Sequence, residues 1–347
     1  MKNLVYLLLL ITSFALAQQP YYDNVDLTLT GQDLYFELQN KIDNASSTFN
    51  YGDVRDAVKI TDEDPNNINN VLLVYGYNDT DGDCTTDRTR DKDDFGGMSC
   101  EYNREHVFAR SNANPEMGNA SNGTTGIAAD PHNLRPSDQQ MNGNKGSRKF
   151  TNGSGNAVEV GGDEWYPGDE WKGDVARMMM YMYTRYGDRC LPSLQGTGPT
   201  EGSTDMLQLY LQWNVEDPVS AFEDQRNPYL ENVYGNRNPF IDNPVLATII
   251  WGGPLAEDRW GLLNTSSIVL NDLLIYPNPT SSVINVQFET TFQTSTLSLF
   301  DMTGREVFTT TTERKNTPID LSYLSRGMYI LNVENNGGKL TKKIQIR

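Results

Sequence analysis

The sequence predicts an α+β protein of two domains, in which a mixed helix-and-strand domain is followed by a small all-β sandwich. The chain has 347 residues, whereas one domain usually contains about 100–200. Short alternating apolar runs begin near residue 272 and are typical of a sandwich. The net charge also changes at this position, because residues 272–347 carry a net +1 and residues 18–271 a net −20.

Composition excludes two broad classes of protein. The chain has 46 Asp and Glu against 28 Lys and Arg, a formal net charge of −18. This charge excludes a protein that binds nucleic acid through a broadly basic surface. The 12 Phe, 18 Tyr and 5 Trp supply enough large side chains for packed cores, so the chain is not wholly disordered.

Residues 1–17 have the features of a secretory signal peptide. Lys2 is followed by an apolar run over 4–16 and by Ala15-Leu16-Ala17, a small-residue cleavage site. A transmembrane anchor is the alternative, but the run is shorter than the ~20 residues that a span needs. We therefore expect an exported mature protein.

Export permits disulfides, and the chain has three cysteines. Cys84 and Cys100 flank an acidic loop, which predicts a disulfide between them and leaves Cys190 free. A different pairing is the alternative.

The acidic loop itself allows two interpretations. Asp79, Asp81 and Asp83 alternate around Gly82, a pattern that suggests oxygen ligands for a structural Ca²⁺ ion. The spacing is not that of an EF-hand, and the alternative is a solvated acidic loop that keeps an exported protein soluble.

The two histidines, His106 and His132, lie in one stretch of the chain. Glu105 and His106 end a strand-like run, where both reach one site only if the strand bends or the site lies at its end. Asn133 follows His132 in a proline-containing turn, and residues 137–142 have a helical pattern that includes Asn142. A carboxylate, an amide and an imidazole suit a hard divalent cation with a nearby general base. Zinc is less well supported, because it prefers several His or Cys ligands.

Two ordered motifs extend this interpretation. Residues 103–111 read Asn-x-Glu-His-x-x-x-x-Ser, and residues 130–142 read Asp-x-His-Asn-Leu-x-Pro-x-Asp-x-x-x-Asn. With further segments at 172–177, 217–219 and 236–242, they resemble the endonuclease I family of secreted, metal-dependent nucleases. The resemblance spans roughly residues 30–255. It implies a catalytic domain over 18–262 with a ββα-metal (His-Me) finger, in which a β-hairpin and a helix hold one ion.

The resemblance also implies roles for individual residues. His106 matches the general base, and Glu105 and Asn142 match ligands of Mg²⁺, with Mn²⁺ or Ca²⁺ as alternatives. Some relatives have a glutamate where Ala128 stands. Asp130, His132 and Asn133 are expected to support the site, with direct catalysis by His132 as the minority interpretation. The candidates for phosphate binding are Lys145, Arg148 and Arg177.

Local charge supports a small basic cleft in an acidic protein. Residues 131–157 carry a net +3, from Arg135, Lys145, Arg148 and Lys149 against Asp138. If this segment dominates binding, nuclease activity should fall steeply with added salt.

Residues 272–347 contain five or more strand-like runs, at 274–276, 283–288, 297–300, 329–333 and 343–346. The segments Tyr-Pro-Asn-Pro at 276–279, Leu-Phe-Asp-Met-Thr-Gly-Arg at 299–305 and the basic ending at 342–347 resemble a type IX secretion C-terminal sorting domain. The resemblance implies export through Sec and then type IX secretion, to the cell surface or the medium. Residues 263–271 are the predicted linker. A generic sandwich used for binding is the alternative.

The expected function is that of a secreted, metal-dependent endonuclease with little sequence preference. It would hydrolyse DNA, with RNA as an alternative substrate, and leave 5′-phosphate products. We expect a monomer with no stable membrane insertion. The alternative is a secreted calcium-binding adhesin or binding module that uses the aspartate loop and the β tail without catalysis.

Overall fold

The computed structural model describes residues 19–263, 273–288, 295–312, 314–335 and 338–347. The chain divides into two compact units, residues 1–260 and 261–347. The predicted signal peptide and residues 264–271 of the predicted linker lie outside the described residues. Over the described ranges, no helix combines the length and the apolar character that crossing a membrane would require.

The first unit is mixed, as the sequence predicts. Its helices and strands, in chain order, are α1 Gly31–Asp43, α2 Tyr51–Thr61, β1 Glu63–Asp64, β2 Asn67–Leu72, β3 Thr89–Asp91, β4 Tyr102–His106, β5 Leu134–Asp138, α3 Gln139–Lys145, β6 Lys149–Phe150, β7 Val158–Gly161, β8 Glu164–Tyr166, α4 Lys172–Tyr186, α5 Pro192–Gln195, α6 Gln208–Glu216, α7 Ala221–Asp224, α8 Arg226–Val233, α9 Pro239–Asp242 and α10 Val245–Trp251.

Helix α4 lies at the centre of this unit. Its residues from Gly173 to Thr184 are all buried, and it contacts α1, α6 and α9. A helix that is buried all round must pack against neighbours on every side. The methionines at 178–180 and 182 fill this core, as expected, because their flexible side chains adapt to irregular gaps.

Three small sheets surround the helices. Strands β1, β2 and β3 form one antiparallel sheet in that order, and β6, β8 and β7 form another with one parallel pair. The third is the antiparallel pair β4–β5, in which His106 is opposite Leu134 and Tyr102 is opposite Asp138.

A β-β-α unit forms where β5 passes directly into α3. Asp138, the last residue of β5, is also the N-cap of α3, and its carboxylate accepts hydrogen bonds from the backbone N–H groups of Gln140 and Met141. An N-cap of this kind satisfies helix donors that would otherwise lack partners. The helix therefore begins without an intervening loop, and Asn142 lies one turn from the strand pair.

The second unit is an all-β sandwich. Its strands are β9 Leu274–Tyr276, β10 Val283–Gln287, β11 Ser295–Asp301, β12 Glu306–Thr312, β13 Asn316–Asp320, β14 Gly327–Asn335 and β15 Gly338–Ile346. They form two sheets, β13-β10-β9 and β12-β11-β14-β15. Alternate residues such as Ile284 and Val286, or Leu331 and Val333, point into one core. Two strands, β12 and β13, were not predicted, because threonines and polar residues replace the alternating apolar pattern there.

Candidate active site

A cleft of about 590 Å³ opens beside the β4–β5–α3 unit. The side chains that matter for its chemistry are Tyr51, Arg104, Glu105, His106, Arg110 and Asn142. The three residues predicted to form the catalytic centre are therefore brought to one cavity by two elements, β4 with Glu105 and His106 and α3 with Asn142.

Glu105 and His106 share this cleft although adjacent strand residues point to opposite faces. His106 is the last residue of β4, so the cleft lies at the end of the strand. This is one of the two arrangements that the sequence allowed. Both side chains are almost completely buried, with 3% and 8% of their surface exposed.

Two contacts orient the imidazole of His106. Its Nε2 lies 2.8 Å from the backbone carbonyl of Ala128 and donates a hydrogen bond to it. The ring stacks on Tyr51 at a centroid distance of 5.4 Å and an interplanar angle of 16°. Because Nε2 carries the proton, Nδ1 has the lone pair, which is the tautomer that a general base requires. Residue 128 thus acts through its backbone, which explains why alanine suffices there.

Burial lowers the pKa of His106 to about 3, opposed by the hydrogen bond to Ala128. The positive charges of Arg110, Lys145 and Arg104 lower this pKa further. The ring is therefore neutral, and able to accept a proton, throughout the neutral pH range.

Glu105 is held from behind by two donors. Its Oε1 accepts a hydrogen bond from the Tyr75 hydroxyl at 3.2 Å and lies 3.3 Å from the Lys145 ammonium. Burial raises the pKa of this carboxyl group, and Lys145 opposes that shift. The described side chains thus engage Oε1 and leave Oε2 to the cleft.

Asn142 has a defined orientation as well. Its Nδ2 donates a 2.6 Å hydrogen bond to Oδ1 of Asn103 on β4, so its own Oδ1 is left as an acceptor. Glu105 and Asn142 therefore offer one carboxylate and one amide oxygen to the same cleft. This donor set fits Mg²⁺, which takes a few protein oxygens and retains water molecules. Over the described residues, no group of three or more His, Cys, Asp and Glu side chains could hold a metal ion, so a site dominated by such ligands is not present there.

The three supporting residues do not line the cleft. Asn133 clamps the chain after β4, since its side chain accepts from the backbone N–H of Phe108 and donates to the Phe108 carbonyl. The His132 Nε2 lies 3.0 Å from Oδ1 of Asn236 in the buried interior. Asp130 accepts hydrogen bonds from Arg185 and from two tyrosines. These contacts agree with a supporting role and place His132 away from direct catalysis.

Two of the residues predicted to bind phosphate, Lys145 and Arg177, are fully buried in ion pairs and do not line the cleft. Arg177 forms ion pairs with Glu223 at 2.6 Å and Asp174 at 3.4 Å. Lys145 lies under the cleft against Glu105 and the Val107 carbonyl. Neither can extend to a substrate without leaving a buried carboxylate unpaired.

The predicted basic segment at 131–157 is likewise not a basic surface. Arg135 is buried between Asp62 and Asp174. Arg148 is partly exposed at the rim, but it is paired with Glu159 at 2.9 Å and donates to the Asn144 carbonyl. Arg135, Lys145 and Arg148 are thus paired with carboxylates from other segments, whereas the Lys149 ammonium donates to the Ser193 carbonyl.

The acidic loop is organised by its own backbone. Asp79 accepts from the N–H groups of Arg88 and Thr89. Asp81 accepts from the N–H of Asp83, and Asp83 from the N–H of Thr85. Among the described residues, these three carboxylates do not come together as a group that could hold a metal ion, and the structural Ca²⁺ site stays a prediction. The predicted Cys84–Cys100 disulfide is confirmed, and Cys190 is free and buried.

Sequence reasoning missed three residues of the cleft wall. Tyr51 begins α2, where the capping box of Asn50 and Asp53 fixes it. It is far from His106 in sequence, and no local pattern connects them. Arg104 and Arg110 flank the Glu-His pair, so their closeness to it was the available signal.

Comparison with known proteins gives two family matches. A family model described as Endonuclease I matches residues 30–245, and one described as a secretion system C-terminal sorting domain matches residues 274–347. An extracellular ribonuclease of Bacillus subtilis (strain 168) is 38% identical over 247 residues, which cover 67% of this chain and 78% of that protein. The extracellular ribonuclease of Bacillus amyloliquefaciens is 40% identical over 228 residues, 61% of this chain and 72% of that protein. An extracellular deoxyribonuclease of Aeromonas hydrophila is 26% identical over 126 residues, 33% of this chain and 50% of that protein.

The sorting domain and the extracellular relatives agree with the predicted location, outside the cell or at its surface. The first family match covers well over half of the chain and includes every residue of the cleft named above. The protein therefore belongs to the Endonuclease I family of nucleases and carries a type IX secretion sorting domain at its C-terminus.

Proposed function

We propose that this protein is a metal-dependent endonuclease that hydrolyses DNA and RNA with little sequence preference and leaves 5′-phosphate ends. The observation that carries the proposal is the neutral imidazole of His106, held through Nε2 by Ala128 and placed beside two oxygen ligands in an open cleft. We interpret β4, β5 and α3 as a His-Me finger on this basis.

In the proposed reaction, Nδ1 of His106 removes a proton from a water molecule, and the water oxygen attacks the phosphorus in line. The bond between phosphorus and the 3′-oxygen breaks, and its electron pair leaves with that oxygen, which takes a proton from solvent.

Glu105 and Asn142 are the residues that would hold the ion. A divalent cation such as Mg²⁺ would stabilise negative charge on the phosphate and on the departing oxygen. Lys145 and Tyr75 keep the Glu105 carboxylate in position from behind, and Asn103 does the same for Asn142. This second layer restricts both ligands before the ion arrives.

The substrate class follows from what the cleft can recognise. Contacts to phosphate and sugar carry no sequence information. An enzyme whose cleft contacts only the sugar-phosphate backbone of the nucleic acid therefore cleaves many sequences. Relatives named as ribonucleases share the larger part of the chain, and relatives named as deoxyribonucleases share a shorter part. Both kinds of similarity support testing the two substrates side by side.

The test uses the purified mature chain with plasmid DNA and with single-stranded RNA, in Mg²⁺ and after chelation by EDTA. We expect cleavage of both substrates, loss of cleavage in EDTA and recovery with Mg²⁺. Ligation of the DNA fragments without prior kinase treatment reports 5′-phosphate ends. Activity that survives EDTA would contradict metal dependence.

Variants at the base complete the experiment. His106→Gln keeps a donor for Ala128 but lacks the base, so we expect a loss of roughly 10²–10⁴ in kcat with an unchanged melting temperature. Wild-type activity in this variant would exclude His106 as the base. The calcium-binding adhesin alternative has less support, since the described residues contain no group of three or more His, Cys, Asp and Glu side chains that could hold a metal ion.

A further inference from the structure

Phosphate groups bring negative charge into a cleft that already contains the carboxylate of Glu105, so a positive side chain on its wall would favour binding in addition to the proposed ion. Lys145 and Arg177 are buried in ion pairs, and Arg148 is paired with Glu159. The positive charge must therefore come from other residues.

Arg104 and Arg110 are the arginines that line the cleft. Among the described side chains, neither has an Asp or Glu oxygen within 4.0 Å. Most other arginines of this unit do have such a partner, namely Arg55, Arg88, Arg90, Arg135, Arg148, Arg177, Arg185, Arg226, Arg237 and Arg259. In a chain with 46 acidic residues, two arginines without an acidic partner on one wall distinguish this cleft from the rest of the unit.

The two arginines differ in how many of their side-chain donors already form hydrogen bonds within the protein. Arg104 lies over the Tyr51 ring at 3.6 Å, and it donates to the Tyr51 carbonyl and to Asn122. Its role is to hold Tyr51. Arg110 makes one side-chain hydrogen bond, from Nη1 to the Gly118 carbonyl at 2.6 Å. Its Nε and Nη2 have no acceptor among the described residues, and Glu116, the other carboxylate on the wall, forms no ion pair with it.

The backbone around Arg110 is anchored on both sides. The N–H of Ala109 donates to the buried side chain of Gln195 at 2.8 Å, and the N–H of Met117 donates to the Arg110 carbonyl at 3.0 Å. Arg110 also lies four residues after His106, on the segment that leaves β4. The backbone that carries the guanidinium is therefore held in place beside the proposed catalytic centre. Preorganised recognition requires such a fixed attachment.

We propose that Arg110 is a catalytic residue of this enzyme, whose Nε and Nη2 bind the non-bridging oxygens of the phosphate that is cleaved. A guanidinium presents two parallel donors that match two phosphate oxygens. The interaction strengthens as negative charge accumulates on those oxygens during attack by water. This proposal rests on the nuclease function proposed above.

Steady-state kinetics on a short DNA and a short RNA test the proposal. We expect Arg110→Gln to lower kcat by about 10²–10³, as removal of one preorganised donor does, with a smaller change in KM. Arg110→Lys keeps the positive charge but loses the two parallel donors of the guanidinium, so we expect its kcat to lie between those of Arg110→Gln and wild type. The matched control is Arg55→Gln, an exposed arginine of α2 outside the cleft, which should stay within about twofold of wild type.

Chemical rescue separates binding of phosphate from a structural role. We expect guanidinium ion at about 50 mM to raise kcat of Arg110→Ala roughly tenfold or more, because it restores the missing donors. The same concentration of sodium chloride should not. All variants should melt within a few degrees of wild type.

The outcomes distinguish the two proposals. If His106→Gln is inactive while Arg110→Gln retains wild-type kinetics, the role of Arg110 is wrong and the nuclease function stands. If Arg110→Gln is slow but neither lysine nor guanidinium restores any rate, phosphate binding by this residue is wrong. If the wild-type protein cleaves neither substrate, both proposals fail.

Discussion

At the residue scale, Tyr51 shows how the imidazole proposed as the general base is held. One ring contacts both His106, by stacking, and Arg104, through a cation–π contact. Such contacts each contribute about 0.5–1.5 kcal/mol. A ring that supports the general base in this way affects the rate of proton transfer more than it affects substrate binding.

We predict that Tyr51→Leu lowers kcat by roughly 3- to 10-fold with little change in KM, the loss expected from about 1 kcal/mol of stacking. Tyr51→Phe keeps the ring and should remain near wild type, because the Tyr51 hydroxyl has no hydrogen bond among the described residues. Kinetics on one oligonucleotide measure both. An equal loss in the Phe and Leu variants would instead assign a direct role to the hydroxyl group.

At the element scale, the β4–β5–α3 unit explains why residues distant in sequence share a cleft. The antiparallel register places Asn103 opposite Ser137, and the Asp138 cap starts α3 at once. Asn142 is then close enough to bond Asn103. A covalent link also joins this unit to the acidic loop, since Cys100 lies just before β4 and is bonded to Cys84.

We predict that the double variant Cys84→Ser, Cys100→Ser lowers the free energy of unfolding of the catalytic unit by about 3 kcal/mol. A disulfide that closes a loop of this length restricts the unfolded chain by about that amount. Urea denaturation of the oxidised wild type and the variant measures the difference.

Cys190→Ala is the control for this disulfide prediction, because Cys190 is buried but forms no disulfide. We expect Cys190→Ala to lower the free energy of unfolding clearly less than the double variant does. If the double variant and wild type unfold at the same urea concentration, the disulfide does not stabilise the fold.

At the scale of the whole molecule, buried ionisable groups link stability to pH. Burial lowers the pKa of His132 to about 4, and the charge of Asp130 opposes this while Arg226 and Arg185 reinforce it. Between about pH 6.5 and pH 4 the unfolded chain binds a proton on this histidine that the folded chain does not. The contribution of His132 to stability is therefore complete at neutral pH and is lost as the pH falls.

We predict that the wild-type protein loses up to roughly 3 kcal/mol more than His132→Gln between pH 7 and pH 4, the linkage expected from this shift. Denaturant melts of both proteins at several pH values give the difference. The comparison with His132→Gln is needed because burial also raises the pKa of Asp217, to about 7. This carboxyl group stabilises the folded protein as the pH falls, which is opposite to the effect of His132. Parallel stability curves for the two proteins would contradict a buried neutral His132.

The sequence by itself determined the features that depend on local pattern. The two-domain division, the sandwich and the methionine core follow from alternation and composition, and the resemblance of two ordered motifs to the endonuclease I family implied roles for Glu105, His106 and Asn142. Hydrophobic periodicity and motif spacing are properties of a short stretch of sequence, so predictions based on them do not depend on which distant segments pack together.

Only the tertiary structure decided which charges face the cleft. Arg135 pairs with Asp62 across 73 positions, and Arg177 with Glu223 across 46. A charge count over residues 131–157 cannot include those partners, so it predicted a basic surface where the fold buries neutralised ion pairs. Tyr51 is likewise brought to His106 only by the packing of α2 on the strand pair. A buried charge must find a partner wherever the chain offers one. The absence of an acidic partner at Arg104 and Arg110, on the cleft wall, could be recognised only after those pairings were known.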